Sequence, residues 1–426
     1  MIVAIIVLLF AMLLLGVPIY ISLILSTFLS LIFFTDIDSM VAVQRIFGGI
    51  DKFVLMALPF FILAANAMDV GGLSRRILNF ARALVGHLYG GMAMATQTAA
   101  MFFGALSGSS PATVIAIGRI MYPELLKQGY PKKFASGLII QSGAVSLVIP
   151  PSITIILYAS ATNTSVSSLF LGGLGAGVFF GTFLLLYIYL YSRFKKFPRG
   201  ERSSSREIYK AIKEASWSLA VPLIIIGGIS FGIFTPTEAA GVSAIYAIFV
   251  GMFVYKEITW KKLFQLSLDS AKTSAQVMIL VAAASALGWV LTIGQAPHML
   301  AGFVAETFTS PWAFLIFLNL SLLLIGMFVD STIALIVIAP LILSSATTLG
   351  IDPIHLGIVM VVNLAIGTFT PPFGLNIFVA NSITRLKMIE MLPGLMQFFW
   401  ITFVALLIIT FIPIITMLLP TIVYGS

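Results

Sequence analysis

Apolar runs of helix length recur along the whole chain, at 2–34, 52–68, 89–126, 134–160, 168–192, 216–234, 237–255, 264–293, 312–348, 355–382 and 391–420. A helix needs roughly 20 apolar residues to cross the ~30 Å hydrocarbon core of a bilayer, and most of these runs are that long or longer. Backbone polar groups at membrane depth must be satisfied within the protein, which restricts such runs to helices. Only 9% of the 426 residues are charged, and no interval between the runs could hold a sizeable soluble domain. The chain therefore reads as an all-α polytopic membrane protein of about 11 transmembrane helices.

The first run, MIVAIIVLLFAMLLLGVPIYISLILSTFLSLIFF, lacks the basic start and small-residue cleavage site of a signal peptide. It reads as retained, crossing once or twice around Gly16-Val17-Pro18. With no cysteine there are no disulfides, thiol nucleophiles or thiolate metal sites. His87, His298 and His355 are too far apart in sequence to form a ligand-spaced pair, so no transition-metal site is expected. The formal charge of +8 resides mostly in loops, where it marks orientation rather than a nucleic-acid surface. The segment RFKKFPRGERSSSREIYKAIK at 193–213 has eight Lys or Arg against two Glu, which makes it cytoplasmic. KEITWKK at 256–262, Lys127, Lys132, Lys133, the basic amphipathic piece SRRILNFARAL, Arg385 and Lys387 fall on the same side. Glu306 and Asp352 fall on the other.

Two runs, 89–126 and 312–348, are too long for one crossing, and each has polar residues near its middle: ALSGSSPAT and FVDSTIA. Such a run enters, turns at membrane depth and returns as a re-entrant hairpin, with the turn buried in protein or lining a cavity. Two later runs are broken by Pro-Pro, in LVIPPSI and TFTPPFG. Proline removes a backbone donor and disrupts the helical ladder, leaving carbonyls for another partner. GALSGSSPATVIAIGRI (104–120) aligns with GMFVDSTIALIVIAPLI (326–342), and VSLVIPPSITIILYASATN (145–163) aligns with GTFTPPFGLNIFVANSITR (367–385). Five crossings separate the hairpins, so the two units face opposite sides. This is an inverted-topology repeat, with substrate and ion sites expected at the discontinuous helices.

At the first tip, Ser107, Gly108, Ser109 and Ser110 face the segment Gly143, Val145, Ser146 and Pro150. Together they can form an all-oxygen cage for a hard cation, although serine and glycine also serve ordinary helix packing. At the second tip, Asp330, Ser331 and Thr332 are matched by Gly367, Thr368, Phe369 and Thr370. A carboxylate inside a span requires compensation, and Asp330 also stands at the N-cap of the hairpin's second arm. Substrate contacts are sought at Ser109, Pro151, Thr154, Arg119 and Asn376. Arg119 either meets a substrate carboxylate or snorkels to the interface. Asn376, like Asn163 and Asn381, either contacts substrate or bonds between helices. Thr235, Pro236 and Glu238 form a capping box with a proline start. Gly173, Gly177 and Gly181 form a close-packing helix face. No P-loop occurs, and no histidine or lysine stands in a span as a base for a serine nucleophile, so an ATPase or a hydrolase finds no support.

GALSGSSPATVIAIG, GYPKKFASGL, VIPPSI, GIFTPTEAAGVSAIYA, GMFVD and IGTFTPPFGLNIFV together resemble the large membrane subunit of tripartite ATP-independent periplasmic (TRAP) transporters, over nearly the whole chain. The resemblance implies a sodium-coupled elevator importer of the bacterial inner membrane, with Na+ held at the two tip-and-break positions named above. It also implies a small four-helix membrane subunit as a separate chain, a periplasmic substrate-binding protein, and a carboxylate cargo of the C4-dicarboxylate or sialic acid type. The corresponding division places scaffold arms at 1–88, moving parts at 89–160 and 312–382, and scaffold at 161–311 and 383–426. The competing readings are a sodium- or proton-coupled carboxylate carrier that acts without a binding protein, and a channel with the tips as its filter.

Overall fold

The computed structural model describes residues 1–200, 202–308 and 310–425; Glu201, within the basic loop, lies outside the described residues. The described residues form helices joined by short loops and turns. The chain begins with α1 (Ile2–Leu14) and α2 (Ile19–Phe34), which pack on each other around the break at Pro18. At 13 and 16 residues they rise roughly 20 and 24 Å, each less than a full crossing. Next comes α3 (Ser39–Ile50), capped by the Asp38 carboxylate, which accepts from the Met40 amide. A 3-10 turn at Phe53–Met56 leads into α4 (Ala57–Val70), and the basic amphipathic helix α5 (Leu73–Val85) follows.

The first hairpin is α6 (Gly91–Ser107) with α7 (Ser110–Lys127). The first broken helix is α8 (Lys132–Ser142) with α9 (Ala144–Val148), interrupted before α10 (Ile153–Thr162). Four longer helices and a short one come next: α11 (Val166–Phe194), α12 (Ser205–Ser230), α13 (Pro236–Phe249) with a π turn at its end, α14 (Trp260–Ile293), and α15 (Ala296–Thr307). The second hairpin is α16 (Pro311–Gly326) with α17 (Ser331–Thr348), and the second broken helix is α18 (Pro353–Gly367) with α19 (Leu375–Thr384). The chain closes with α20 (Met388–Phe411) and α21 (Ile414–Tyr424).

Among the described residues, seven helices are long and apolar enough to cross a membrane, or eight if the bent α8–α10 unit is one crossing. The sequence runs suggest about eleven because α16, the halves α18 and α19, and the split ends at Pro18 and Pro413 are apolar but shorter than a crossing. The capping box at the start of α13 is present: Glu238 accepts from the Thr235 amide at 2.8 Å, and the Thr235 hydroxyl accepts from the Glu238 amide.

The first hairpin arm α6 and the helices α9 and α18 that lead into the two breaks form the most deeply buried part of the molecule. Ile354–Gly367 is buried at every residue, and α6 at nearly every one. Large apolar side chains such as Leu223, Ile245 and Phe264 face outward instead, as a lipid-facing surface requires. Two further helices press onto the centre at backbone distance. A Cβ at Gly177 of α11 would fall 3.2 Å from the Ile149 Cα, and one at Gly137 of α8 only 2.6 Å from the Gly394 carbonyl carbon of α20. The glycine face expected on α11 is therefore real, and it is pressed against the first helix break.

Candidate functional site

Each hairpin tip is seated on the break of its own partner helix. In the first unit, Gly108 reverses the chain with φ +56, a left-handed conformation that disfavours side chains. A Cβ there would lie 2.6 Å from the Pro151 carbonyl oxygen, and one at Gly143 would lie 2.6 Å from the Ser110 hydroxyl. The tip is thus in contact with both sides of the interruption at Ile149–Ser152.

The hydroxyls around the first tip donate to protein oxygens, which leaves further lone pairs on the hydroxyls themselves. Ser146 donates to the Gly143 carbonyl at 2.6 Å, and Ser152 to the Leu147 carbonyl at 2.6 Å. Thr154 lies 2.7 Å from Ser152 and 3.2 Å from that same carbonyl. Ser107 and Thr113 share a 3.0 Å bond, and Thr113 also donates to the Ser109 carbonyl. Ser107, Ser110, Ser146 and Pro150 are buried, while Ser109 is half-buried. Val145 supplies a carbonyl already used by the Ile149 amide.

The second unit repeats this plan with a more open mouth. Gly326 and Gly367 meet across the hairpin: a Cβ on Gly326 would be 3.1 Å from the Gly367 Cα. Asp330 caps α17, accepting from the Thr332 amide at 2.8 Å. It is half-buried, and no described residue forms an ion pair with it. Asp330, Ser331 and Thr368 line one cavity of 360 Å³ together with Phe328, Phe373 and Phe378. Thr368 donates to the Ala365 carbonyl and Thr370 to the Ile366 carbonyl, both at 2.7 Å. Phe369 is fully buried, whereas Pro372 and Phe373 are exposed, in contrast to the enclosed Pro150 and Pro151.

Asn376 links the two units. It is wholly buried, and its amide nitrogen lies 2.8 Å from the Ser110 hydroxyl, 3.1 Å from the Ile140 carbonyl and 3.3 Å from the Thr368 hydroxyl. Its capacity is therefore taken up by bonding between helices. Arg119 is exposed midway along α7, and its charge is felt by Asp69 near the end of α4. No recorded hydrogen bond or ion pair joins it to the described residues of either tip. His355 is absorbed structurally, with Nδ1 at 2.8 Å from the Thr416 hydroxyl and Nε2 at 3.2 Å from the Thr410 carbonyl.

Sequence reasoning missed a second pair of equivalent features, two to three turns back from the tips along the first hairpin arms. Gln97 of α6 and Gln141 of α8 are wholly buried and bonded side chain to side chain at 2.6 Å. Asn319 of α16 and Asn363 of α18 are bonded in the same way at 2.9 Å. Continuing the aligned repeats backward sets Gln97 opposite Asn319 and Gln141 opposite Asn363. That register was the available signal. Each pair ties the first arm of a hairpin to the first half of the helix on which its tip rests.

Comparison with known proteins agrees with this architecture. Residues 6–415 match the family model described as "Tripartite ATP-independent periplasmic transporter, DctM component". The chain is 42% identical, over 88% of each sequence, to the C4-dicarboxylate TRAP transporter large permease protein DctM of Pseudomonas aeruginosa. It is 40% identical to the protein of that name from Vibrio cholerae, over 98% of this chain and 97% of that protein. The sialic acid TRAP transporter large permease protein SiaM of Vibrio cholerae is 34% identical over 96% of both. In fold, the chain is similar to the crystal structure of the YdaH transporter of Alcanivorax borkumensis, with a TM-score of 0.59 at 14% identity, covering 90% of this chain and 88% of that one. The chain belongs to the DctM component family of tripartite ATP-independent periplasmic transporters, integral proteins of the inner membrane.

Proposed function

We propose that this large permease subunit imports a small organic acid of the C4-dicarboxylate type, driven by sodium, with a periplasmic binding protein delivering the cargo. A separate small four-helix membrane subunit completes the transporter. The observation that carries this reading is the seating of each polar tip on its own helix break, where the donors are oxygens only. Oxygen donors suit a hard cation, and a half-buried Asp330 with no described ion-pair partner suits a positive one. Dicarboxylate cargo is favoured over an acidic sugar because the relatives named for C4-dicarboxylates are 40–42% identical and the one named for sialic acid 34%.

Sodium between tip and break would order the hairpin and hold the N-terminus of its second arm, α7 or α17, towards the anionic cargo. The helix dipole favours negative charge there. The two units, read as inverted repeats, would then move as one block past the remaining helices. The backbone contacts of α11 and α20 argue that both travel with the block, because a glycine face pressed on a helix break cannot slide without separating. The moving part is accordingly α6–α11 with α16–α20, wider than 89–160 plus 312–382.

The test is uptake of labelled succinate into proteoliposomes containing this chain and its small partner, with and without the binding protein. Sodium, potassium and proton gradients are compared. Accumulation that requires both sodium and the binding protein is expected. Equal uptake without the binding protein would favour the self-sufficient carrier, and dependence on the proton gradient alone would remove sodium from the two sites.

A further inference from the structure

A cavity of 180 Å³ lies between α3 and α14 on one wall and α10 and α17 on the other. It is far larger than the ~10–15 Å³ that admits one water. Its walls are mainly small or apolar, with hydroxyls from Ser160, Ser285 and Thr292 and one charged side chain, Lys52. Lys52 is half-buried, and its ammonium donates to the Ser160 carbonyl at 2.5 Å. The ion pairs among the described residues do not include it. The neighbouring Asp51 is exposed, and Arg45, on α3, is turned to the Trp289 ring 5.3 Å away.

The site's position follows from chain direction. The basic loop 193–213 at the end of α11 is cytoplasmic, so the start of α11 and the end of α10, where Ser160 lies, face the periplasm. Lys52 is therefore on the periplasmic side, at the seam between helices assigned to the fixed part and helices assigned to the moving block. α17, which forms one wall, carries Asp330 at its other end.

We propose that Lys52 and this cavity form a carboxylate-binding site, occupied by the cargo on its way from the periplasm to the hairpin tips. The inference rests on the importer reading above. A lysine ammonium has three donors, and one carbonyl takes up a single donor without neutralising the charge. A carboxylate supplies both the missing charge and the missing acceptors, and the surrounding hydroxyls can hold its other oxygens. Arg119, the cation that the sequence suggested for this task, is exposed midway along α7 and does not line this cavity.

This chain has no cysteine, so a cysteine introduced into it is its only thiol. In the assembled transporter, Lys52→Gln should raise the KM for succinate about 10-fold, the loss typical of one charge-assisted contact, without moving the sodium concentration for half-maximal rate. Lys52→Arg should retain most of the uptake. Lys52→Cys should be restored by aminoethyl methanethiosulfonate, which rebuilds an ammonium, and not by the neutral methyl reagent. A Lys52→Gln transporter with wild-type KM, or equal rescue by both reagents, overturns the proposal.

If the Lys52 variants do not assemble, Gly288→Cys leaves the lysine in place, and a Cβ at that cavity-lining position meets no atom within 4 Å. Its thiol should react faster with an anionic sulfonatoethyl reagent than with a cationic trimethylammonium one, and succinate should slow the reaction. No preference and no protection overturn the site. Uptake that ignores sodium yet follows the charge at residue 52 would remove the sodium reading and leave this site standing. Sodium-driven uptake indifferent to Lys52 would do the reverse.

Discussion

Asp330 has two roles that one substitution can separate. As an N-cap its side chain accepts from the Thr332 amide, and asparagine caps about as well. As an ion ligand it contributes a negative charge that asparagine lacks. Asp330→Asn should therefore leave the thermal unfolding temperature nearly unchanged while raising the sodium concentration for half-maximal uptake about 10-fold. Asp330→Ala should add a stability loss of about 1 kcal/mol from the missing cap. An asparagine variant with unaltered sodium dependence would exclude the carboxylate from the ion site. Residues of this kind were legible from sequence because an acid inside an apolar run needs a reason to be there. Asn376 was not, since an amide can bond to cargo or to a neighbouring helix, and only its three bonding partners decide between them.

Between elements, the buried amide pairs explain how each hairpin keeps its tip on the break. Asn363 donates to both the side chain and the backbone carbonyl of Asn319, and Asn319 donates to Thr410 of α20. Asn363→Leu leaves the Asn319 amide oxygen without its partner in a dry interior, at an expected loss of about 1–3 kcal/mol. Replacing both asparagines by leucine removes the orphaned group along with its partner, so the double variant should lose less than the sum of the two single ones. Thermal unfolding of the four purified proteins gives this coupling directly. Strict additivity would mean that the pair does not act as a unit. The hairpins and breaks themselves were legible, because proline and polar tips interrupt apolar runs at positions where lipid tolerates no exposed backbone. The amide pairs escaped because a lone glutamine or asparagine in a helix is unremarkable until its counterpart in the other repeat is set beside it.

At the scale of the whole molecule, the proposed motion predicts which contacts can be tied together. Tyr187 of α11 and Gln397 of α20 are bonded at 3.3 Å within the block assigned to move. Ser285 of α14 and Val337 of α17 line the same seam cavity from opposite parts. In the cysteine-free chain, a thiol cross-link between cysteines at 187 and 397 should leave uptake intact, and one between 285 and 337 should stop it. Uptake that survives the second cross-link would rule out sliding along this seam. The division between moving and fixed parts could not be drawn from sequence, because α11 follows the first broken helix without a linker that would mark its allegiance.

The sequence by itself determined that this is a helical membrane protein, with two polar-tipped hairpins and two proline breaks. Those features are departures from uniform apolarity, and lipid penalises departures strongly enough to make them informative. The tertiary structure alone decided which faces pack, where Arg119 and Lys52 point, and which helices join the central block. In a soluble protein the contrast between polar and apolar faces would have marked the packed side. Here the interior and the lipid are both apolar, so packing is chosen by shape and by a few buried hydrogen bonds, which become visible only when the helices are brought together.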